Sequence, residues 1–516
     1  MKKQLLFSLF FIATIFLLTT CSKEVLENNL QYKMLTPINE DLNAGDWKPI
    51  LISSPKDFAC PTPISTSSPD YILQINEIKS IQKEISAEEM SNLKYWGAGS
   101  VLRWNEIMRE LVAKYNLPPY QNPDGTYPVP NANNPLSYPT FPFANPPYAA
   151  RAYAYLSAAQ YDAAITCFYY KKLYNRAAPN TIDNSIKVLL PQKKSPSFPS
   201  EEATIMAASV EILKLLFPGE QDYINKKAEE HKQARLLSGL NVRSDIEAGE
   251  IIGKAIAAKF IARARTDKAG AAVGTPSDWA ALKKNCEDLG EMPWKSLESP
   301  ERPPMLPLFG KVQPFLFSQA TLESAIRPGP PPSTHSNKFK EECDEIYYIK
   351  QNLTREQLRI ANFWADGIRT YTPPGHWNYI AANDFVTMDL SEVRWARNMA
   401  LLNMSLMDAA IVCWNTKYTY FNPRPSQFDP RIKTDIGLPN FPSYVSGHST
   451  FSGAAATILG YLNPQKAMEY ENMAKEASIS RMYGAIHFRS DCEVGLQTGN
   501  KVGSFAIERA KIDGAD

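Results

Sequence analysis

Through most of the chain apolar residues return at steps of three and four, the spacing of a helix with one buried face. The pattern begins near Ala87 and is clear over 201–216 and 244–265. It resumes over 355–367, 391–416, 449–462, 464–478 and 488–511. Residues 147–174 are rich in alanine and tyrosine with few polar positions, which predicts a buried helix. No alternating strand pattern lasts more than a few residues, and no internal repeat or low-complexity run is evident. Two stretches, 116–147 and 292–332, hold ten prolines each and are too irregular for helix. The reading is an all-α protein with proline-rich loops between its helices.

The N-terminus and the composition narrow this picture. Lys2 and Lys3 precede an apolar run over 5–18, short for a membrane span and suited to a signal peptide. The run ends Leu18-Thr19-Thr20-Cys21, which resembles the lipobox of bacterial lipoproteins. That implies cleavage before Cys21, lipid on its sulfur, and a mature chain anchored in the bacterial cell envelope. The expected organisation is a signal peptide over 1–20, a tether over 21–60, an N-terminal helical half over 61–345 and a C-terminal catalytic half over 346–516. No later stretch has the ~20 apolar residues of a spanning helix, so the lipid is the only membrane attachment expected. Lys and Arg total 55 against 54 Asp and Glu, which leaves no electrostatic footprint for nucleic acid. Cys60, Cys167, Cys286, Cys343, Cys413 and Cys492 are scattered and show neither a metal pattern nor a disulfide framework.

Three segments carry candidate chemistry. In Lys417-Tyr-Thr-Tyr-Phe-Asn-Pro-Arg424-Pro425 the two prolines push Asn422 and Arg424 toward extended backbone. That sets an ammonium and a stiffly held guanidinium at a helix end. In Ser446-Gly447-His448-Ser449 a helix start offers backbone N–H groups and a hydroxyl to an anion, Gly447 lets the backbone come close, and His448 stands at the rim. In Ser480-Arg481 to Asp491 a third cation precedes His487, and Asp491 lies four residues beyond it, on the same face if both are helical. Arg481 and His487 can face one point only if Gly484 interrupts the helix. Singly these read as surface cations, a helix cap and an i,i+4 ion pair. Together, within 75 residues, they are the parts of a tetrahedral oxyanion site.

This constellation resembles the superfamily of type 2 phosphatidic acid phosphatases, bacterial acid phosphatases and vanadium-dependent haloperoxidases. The resemblance implies that Lys417, Arg424, Ser446, Gly447 and Arg481 bind the oxyanion. It makes His487 the nucleophile toward phosphorus or the ligand of vanadium, His448 the acid/base residue and Asp491 the residue that orients His487. The segments FWADG, TPPGHWN and DAAIVCWNTKY, with a likeness over roughly 95–510, favour the haloperoxidase-like lipoprotein branch. By that likeness Asp366 would hold Arg424, and Trp414 and Phe441 would line a halide pocket.

The resemblance implies two four-helix-bundle-like halves. It also implies vanadate as cofactor, with hydrogen peroxide and halide as substrates; Lys417 would polarise the bound peroxide and His448 would take its proton. The alternative is phosphomonoester hydrolysis through a phosphohistidine at the same residues, with no cofactor. A helical glycan-binding lipoprotein is a remote third reading, because it leaves the clustered histidines without a purpose.

Overall fold

The computed structural model describes residues 32–142 and 144–515. Among the described residues every regular element is a helix and there is no strand. Residues 34–516 form one compact unit, and residues 1–33 are a separate unit of which only 32 and 33 are described. The expected signal peptide and Cys21 lie outside the described residues.

Eight of its helices form the frame that carries the site. They are α1 (Pro146–Tyr174), α2 (Glu201–Leu216), α3 (Gln221–Leu237), α4 (Arg243–Thr266), α5 (Glu392–Tyr420), α6 (Gly447–Leu462), α7 (Ala467–Tyr483) and α8 (Arg489–Lys511). Helix α1 starts where the Asn145 side chain accepts a hydrogen bond from the Tyr148 amide at 3.0 Å. Pro146 and Pro147 occupy the first turn, where no amide hydrogen is needed. The helix is buried along most of its 29 residues and ends at Asn175, in the left-handed region at φ 46°. Helix α5 also has 29 residues, is capped by Ser391 and ends at Phe421 at φ 50°.

These endings belong to a repeat that the sequence pattern did not disclose. Residue n of α1–α4 corresponds to residue n + 246 of α5–α8, and α1, α2, α3 and their counterparts match end to end. The two copies meet at equivalent positions: Asn403 donates from Nδ2 to Ser157 Oγ at 2.9 Å, and these residues are 246 apart. The pairing within each copy is also the same. Helix α4 lies on α2 through Gly249 and Gly253, and α8 lies on α6 through Gly495 and Gly499. A Cβ at Gly499 would sit 2.2 Å from the Thr450 carbonyl oxygen, so only glycine permits this approach. The shared residues are few and spread out, DAAI and the following Cys over 162–167 and 408–413 being the densest match.

One copy of the repeat falls in each of the expected halves. The repeat spans 146–266 and 392–511, and α1 packs against α5 in one core. The expected tether differs from what is found over 34–60. Trp47 and Ala44 are buried, and Asp162 in α1 accepts hydrogen bonds from the amides of Ile50, Leu51 and Ile52 at 2.7–3.1 Å. The symmetry-related Asp408 in α5 holds the proline-rich connector through the Phe315 and Leu316 amides at 2.7–3.1 Å. Helix α3 was not foreseen, because its charge-dense sequence buries few apolar residues. The six described cysteines are free, and no described helix is long and apolar enough to cross a membrane.

Candidate functional site

The last turn of α5 carries Lys417, whose ammonium is buried and donates to the carbonyls of Pro442 at 2.9 Å and Ser443 at 2.7 Å. The helix runs three residues past Lys417, and the chain then extends through Pro423 and Pro425 with Arg424 at φ −89°, ψ 159°. This stiff segment drives the guanidinium inward. It donates from Nε to the Phe441 carbonyl at 3.0 Å and from Nη1 to the Ile486 carbonyl at 2.8 Å. Ser446 caps α6, accepting from the Ser449 amide at 3.3 Å. Gly447 is not forced by crowding: a Cβ there would meet nothing nearer than 3.9 Å, so the glycine leaves space open at the helix start.

Helix α7 stops at Tyr483, with Gly484 as its cap and Ala485 at φ 56°. The helix is thus interrupted between Arg481 and His487. The route from His487 to Asp491 is different from a shared helical face. His487 precedes α8, and Asp491 lies in its first turn, where its carboxylate accepts from the Phe488 amide at 3.0 Å. The same Oδ2 lies 2.9 Å from His487 Nδ1 and accepts from the Ser443 hydroxyl. Cap and orienting contact are thus one arrangement.

The tautomer of His487 follows from its partners. Its Nε2 lies 3.2 Å from Arg424 Nη1, and a guanidinium can only donate. Nε2 is therefore the acceptor, and Nδ1 carries the hydrogen given to Asp491. Burial holds the His487 pKa well below the ordinary histidine value, and Arg424, Lys417, His448 and Arg481 all push in the same direction. Burial also pulls Lys417 down to about 7 and Arg424 and Arg481 to about 10, and raises Asp491 to about 6.

A cavity of about 400 Å³ opens onto this cluster and is lined by Asp366, Trp414, Phe441, Gly447, His448 and His487, among others. The Trp414 and Phe441 rings lie 5.0 Å apart, as a pair in its wall. Phe441 is also 5.0 Å from both Lys417 Nζ and the Arg424 guanidinium carbon. His448 Nε2 is buried and has no hydrogen-bond partner. Burial and the Arg481 charge keep its pKa well below the usual value.

Asp366 corrects one expectation. It faces His376, with Nδ1 3.1 Å and 3.2 Å from its two oxygens, and does not hold Arg424. Arg424 is fixed by backbone carbonyls instead. The Asp366–His376 pair sits beside His448, and His376 stacks on Trp364 at 4.6 Å. His376 went unassigned because TPPGHWN shows no pattern that points it at a residue 72 positions later. Ser443 was also missed. It stands three before Ser446 and donates to Asp491, a role that a lone serine in a loop does not advertise.

Residues 398–507, which include Lys417, Arg424, Ser446, His448, Arg481, His487 and Asp491, match the PAP2 superfamily. Vanadium chloroperoxidase of Curvularia inaequalis is 28% identical over 161 residues, 24% of this chain and 26% of that protein, so the match spans about a quarter of the relative's length. The first bacterial vanadium-dependent iodoperoxidase of known crystal structure is similar at a TM-score of 0.56 and 21% identity, over 79% of this chain and 95% of that one. A holo-type bacterial vanadium-dependent chloroperoxidase is similar at 0.50 and 13%, over 75% and 97%. The chain shares the helical fold of these proteins.

Proposed function

We propose that this chain is a vanadate-dependent haloperoxidase that uses hydrogen peroxide to oxidise a halide. The observation that carries the proposal is His487, a buried histidine whose Nε2 faces the Arg424 guanidinium at 3.2 Å and which feels the charges of Lys417 and Arg481. The chloroperoxidase relative supports the choice of reaction.

The donor set suits a tetrahedral oxyanion such as vanadate. Lys417, Arg424 and Arg481 direct their hydrogen bonds to carbonyl oxygens, the Ser480 hydroxyl and His487. Asp491 is engaged by His487 and Ser443. Three buried cations facing so little negative charge are stabilised by a multivalent anion. The open start of α6 at Gly447 adds backbone N–H groups to the same region. Arg424, Lys417 and Arg481 would hold the non-bridging oxygens, and His487 Nε2 would bond the central atom once Arg424 Nη1 turns to the anion.

When bound, vanadate supplies the Lewis acidity that makes hydrogen peroxide an oxidant toward halide. The chain's own residues do the rest. Asp491 fixes the His487 tautomer and raises its donor strength. Lys417 neutralises charge on the peroxide oxygens. His448, with its orphaned Nε2, accepts the peroxide proton. Trp414 and Phe441 exclude water from the halide side. The lipobox-like Cys21 supports anchoring of the mature protein in the cell envelope, which would bring this chemistry to molecules outside the cytoplasm.

The superfamily match keeps a phosphatase reading in play at the same atoms. There Nε2 attacks phosphorus, the ester P–O bond breaks, and protonated His448 gives its proton to the leaving oxygen. Paired assays decide between them. The peroxidase reading expects bromination of a dye by the vanadate-loaded protein and no turnover of a generic phosphomonoester by the vanadate-free protein.

A further inference from the structure

The first copy of the repeat holds a second version of the oxyanion frame. Lys171 stands where Lys417 does, Ser200 where Ser446 does, Arg235 where Arg481 does, and Asp245 where Asp491 does. Their hydrogen bonds repeat as well. Lys171 donates to the Pro196 carbonyl as Lys417 does to that of Pro442. The Ser200 amide donates to the Asp245 carbonyl at 2.9 Å, as the Ser446 amide does to that of Asp491 at 2.9 Å. Asp245 caps α4 through the Val242 amide at 2.8 Å, as Asp491 caps α8.

The two frames differ at several positions, beginning with Ala178, which stands where Arg424 does and leaves this copy without that guanidinium. Asn241 replaces His487, so there is no ring nitrogen to bond a central atom. Glu201 and Glu202 replace Gly447 and His448 at the helix start. Lys193, whose counterpart is Pro439, adds a cation that the other copy lacks. Glu202 lies 2.8 Å from Lys193 Nζ and 3.1 Å from Arg235 Nη1. Glu201 pairs with Lys193, and its other oxygen lies 3.7 Å from Lys171. The cavity beside Lys193, Glu202 and Arg235 is about 30 Å³, against about 400 Å³ at His487.

We propose that this half contains a second binding site for a tetrahedral oxyanion, held closed by the Glu202 carboxylate, with Glu201, as its built-in anion. The two halves then show one frame in two states. In one, glycine and histidine at the helix start leave the cations to an external anion. In the other, adjacent glutamates satisfy Lys171, Lys193 and Arg235 from within. Removing the Glu202 side chain takes away one anion and opens space at the start of α2, where an inorganic oxyanion can meet the same three cations.

The test is the count of bound inorganic phosphate per full chain by equilibrium dialysis, comparing Glu202→Gly with the unaltered protein. The expected result is one additional phosphate per chain, lost again when Arg235→Gln is added, and absent in Glu202→Gln, where a neutral side chain still fills the space. The result is a difference from the parent count, so failure of the His487 site would lower both counts and leave the difference intact. A folded Glu202→Gly protein that binds no more phosphate than the parent overturns the proposal. If Glu202→Gly folds only in the presence of phosphate while Glu202→Gln folds without it, the proposal is upheld. If Glu202→Gly stays unfolded in phosphate while Glu202→Gln folds, it is overturned.

Discussion

His487 Nδ1 lies 2.9 Å from Asp491 Oδ2, and this contact decides which nitrogen of the ring faces the Arg424 guanidinium. The carboxylate cannot relocate easily, because it also caps α8 and takes the Ser443 hydroxyl. Orientation of the histidine is therefore built into the start of a helix rather than added to it.

Loss of that contact has a graded consequence. Asp491→Asn is expected to lower activity by ~10–100-fold, the size of comparable losses around ligand histidines. His487→Ala is expected to abolish it, since the nitrogen that bonds the central atom is lost. Steady-state rates of the two variants check the order. An active His487→Ala protein would exclude both the peroxidase and the phosphatase readings.

Anion binding is expected to draw protons from solution. Burial, with the Arg424 charge beside it, lowers Lys417 to about 7, so at pH 8 it is mostly neutral in the free protein. A bound anion favours the ammonium, raises that pKa, and a proton is taken up. Affinity for sulfate, whose charge is constant over this range, should then fall as pH rises from 7 to 9. Calorimetry at pH 8 in buffers of different ionisation enthalpy reads the proton directly. Release of protons, or affinity flat with pH, would remove Lys417 from the anion site.

The glycine seam between α6 and α8 is expected to be intolerant of a methyl group. Gly499→Ala places Cβ 2.2 Å from the Thr450 carbonyl oxygen, and the helices must part to admit it. Overpacking of this kind costs roughly 1–3 kcal/mol. Urea unfolding of the variant should show a lower midpoint, and an unchanged midpoint would mean that the seam is looser than described.

Much of the site was legible because its residues sit in short, ordered segments. Pro423 and Pro425 announce an extended Arg424, Ser446 announces a helix start, and Gly484 announces the break between Arg481 and His487. The partner of Asp366 was not legible, because it depends on how the start of the Thr372–Phe385 helix is set against Trp364. The repeat was hidden for another reason. Its copies keep Lys171 and Lys417, or Asp245 and Asp491, at long separations, and change the residues between them that a reader weighs most. The segment 34–60 looked like a tether because its backbone amides, not its side chains, make the bonds to Asp162.

The central claim is that the Lys417, Arg424, Arg481 and His487 cluster takes up vanadate and turns hydrogen peroxide on a halide. The most direct measurement is bromide oxidation by the vanadate-free protein as orthovanadate is added back. The account predicts no activity at the start, a rise that saturates at one vanadate per chain, competition by phosphate, and no response in His487→Ala. A protein that oxidises no halide at any vanadate concentration, yet hydrolyses a phosphomonoester and is inhibited by vanadate, would contradict it.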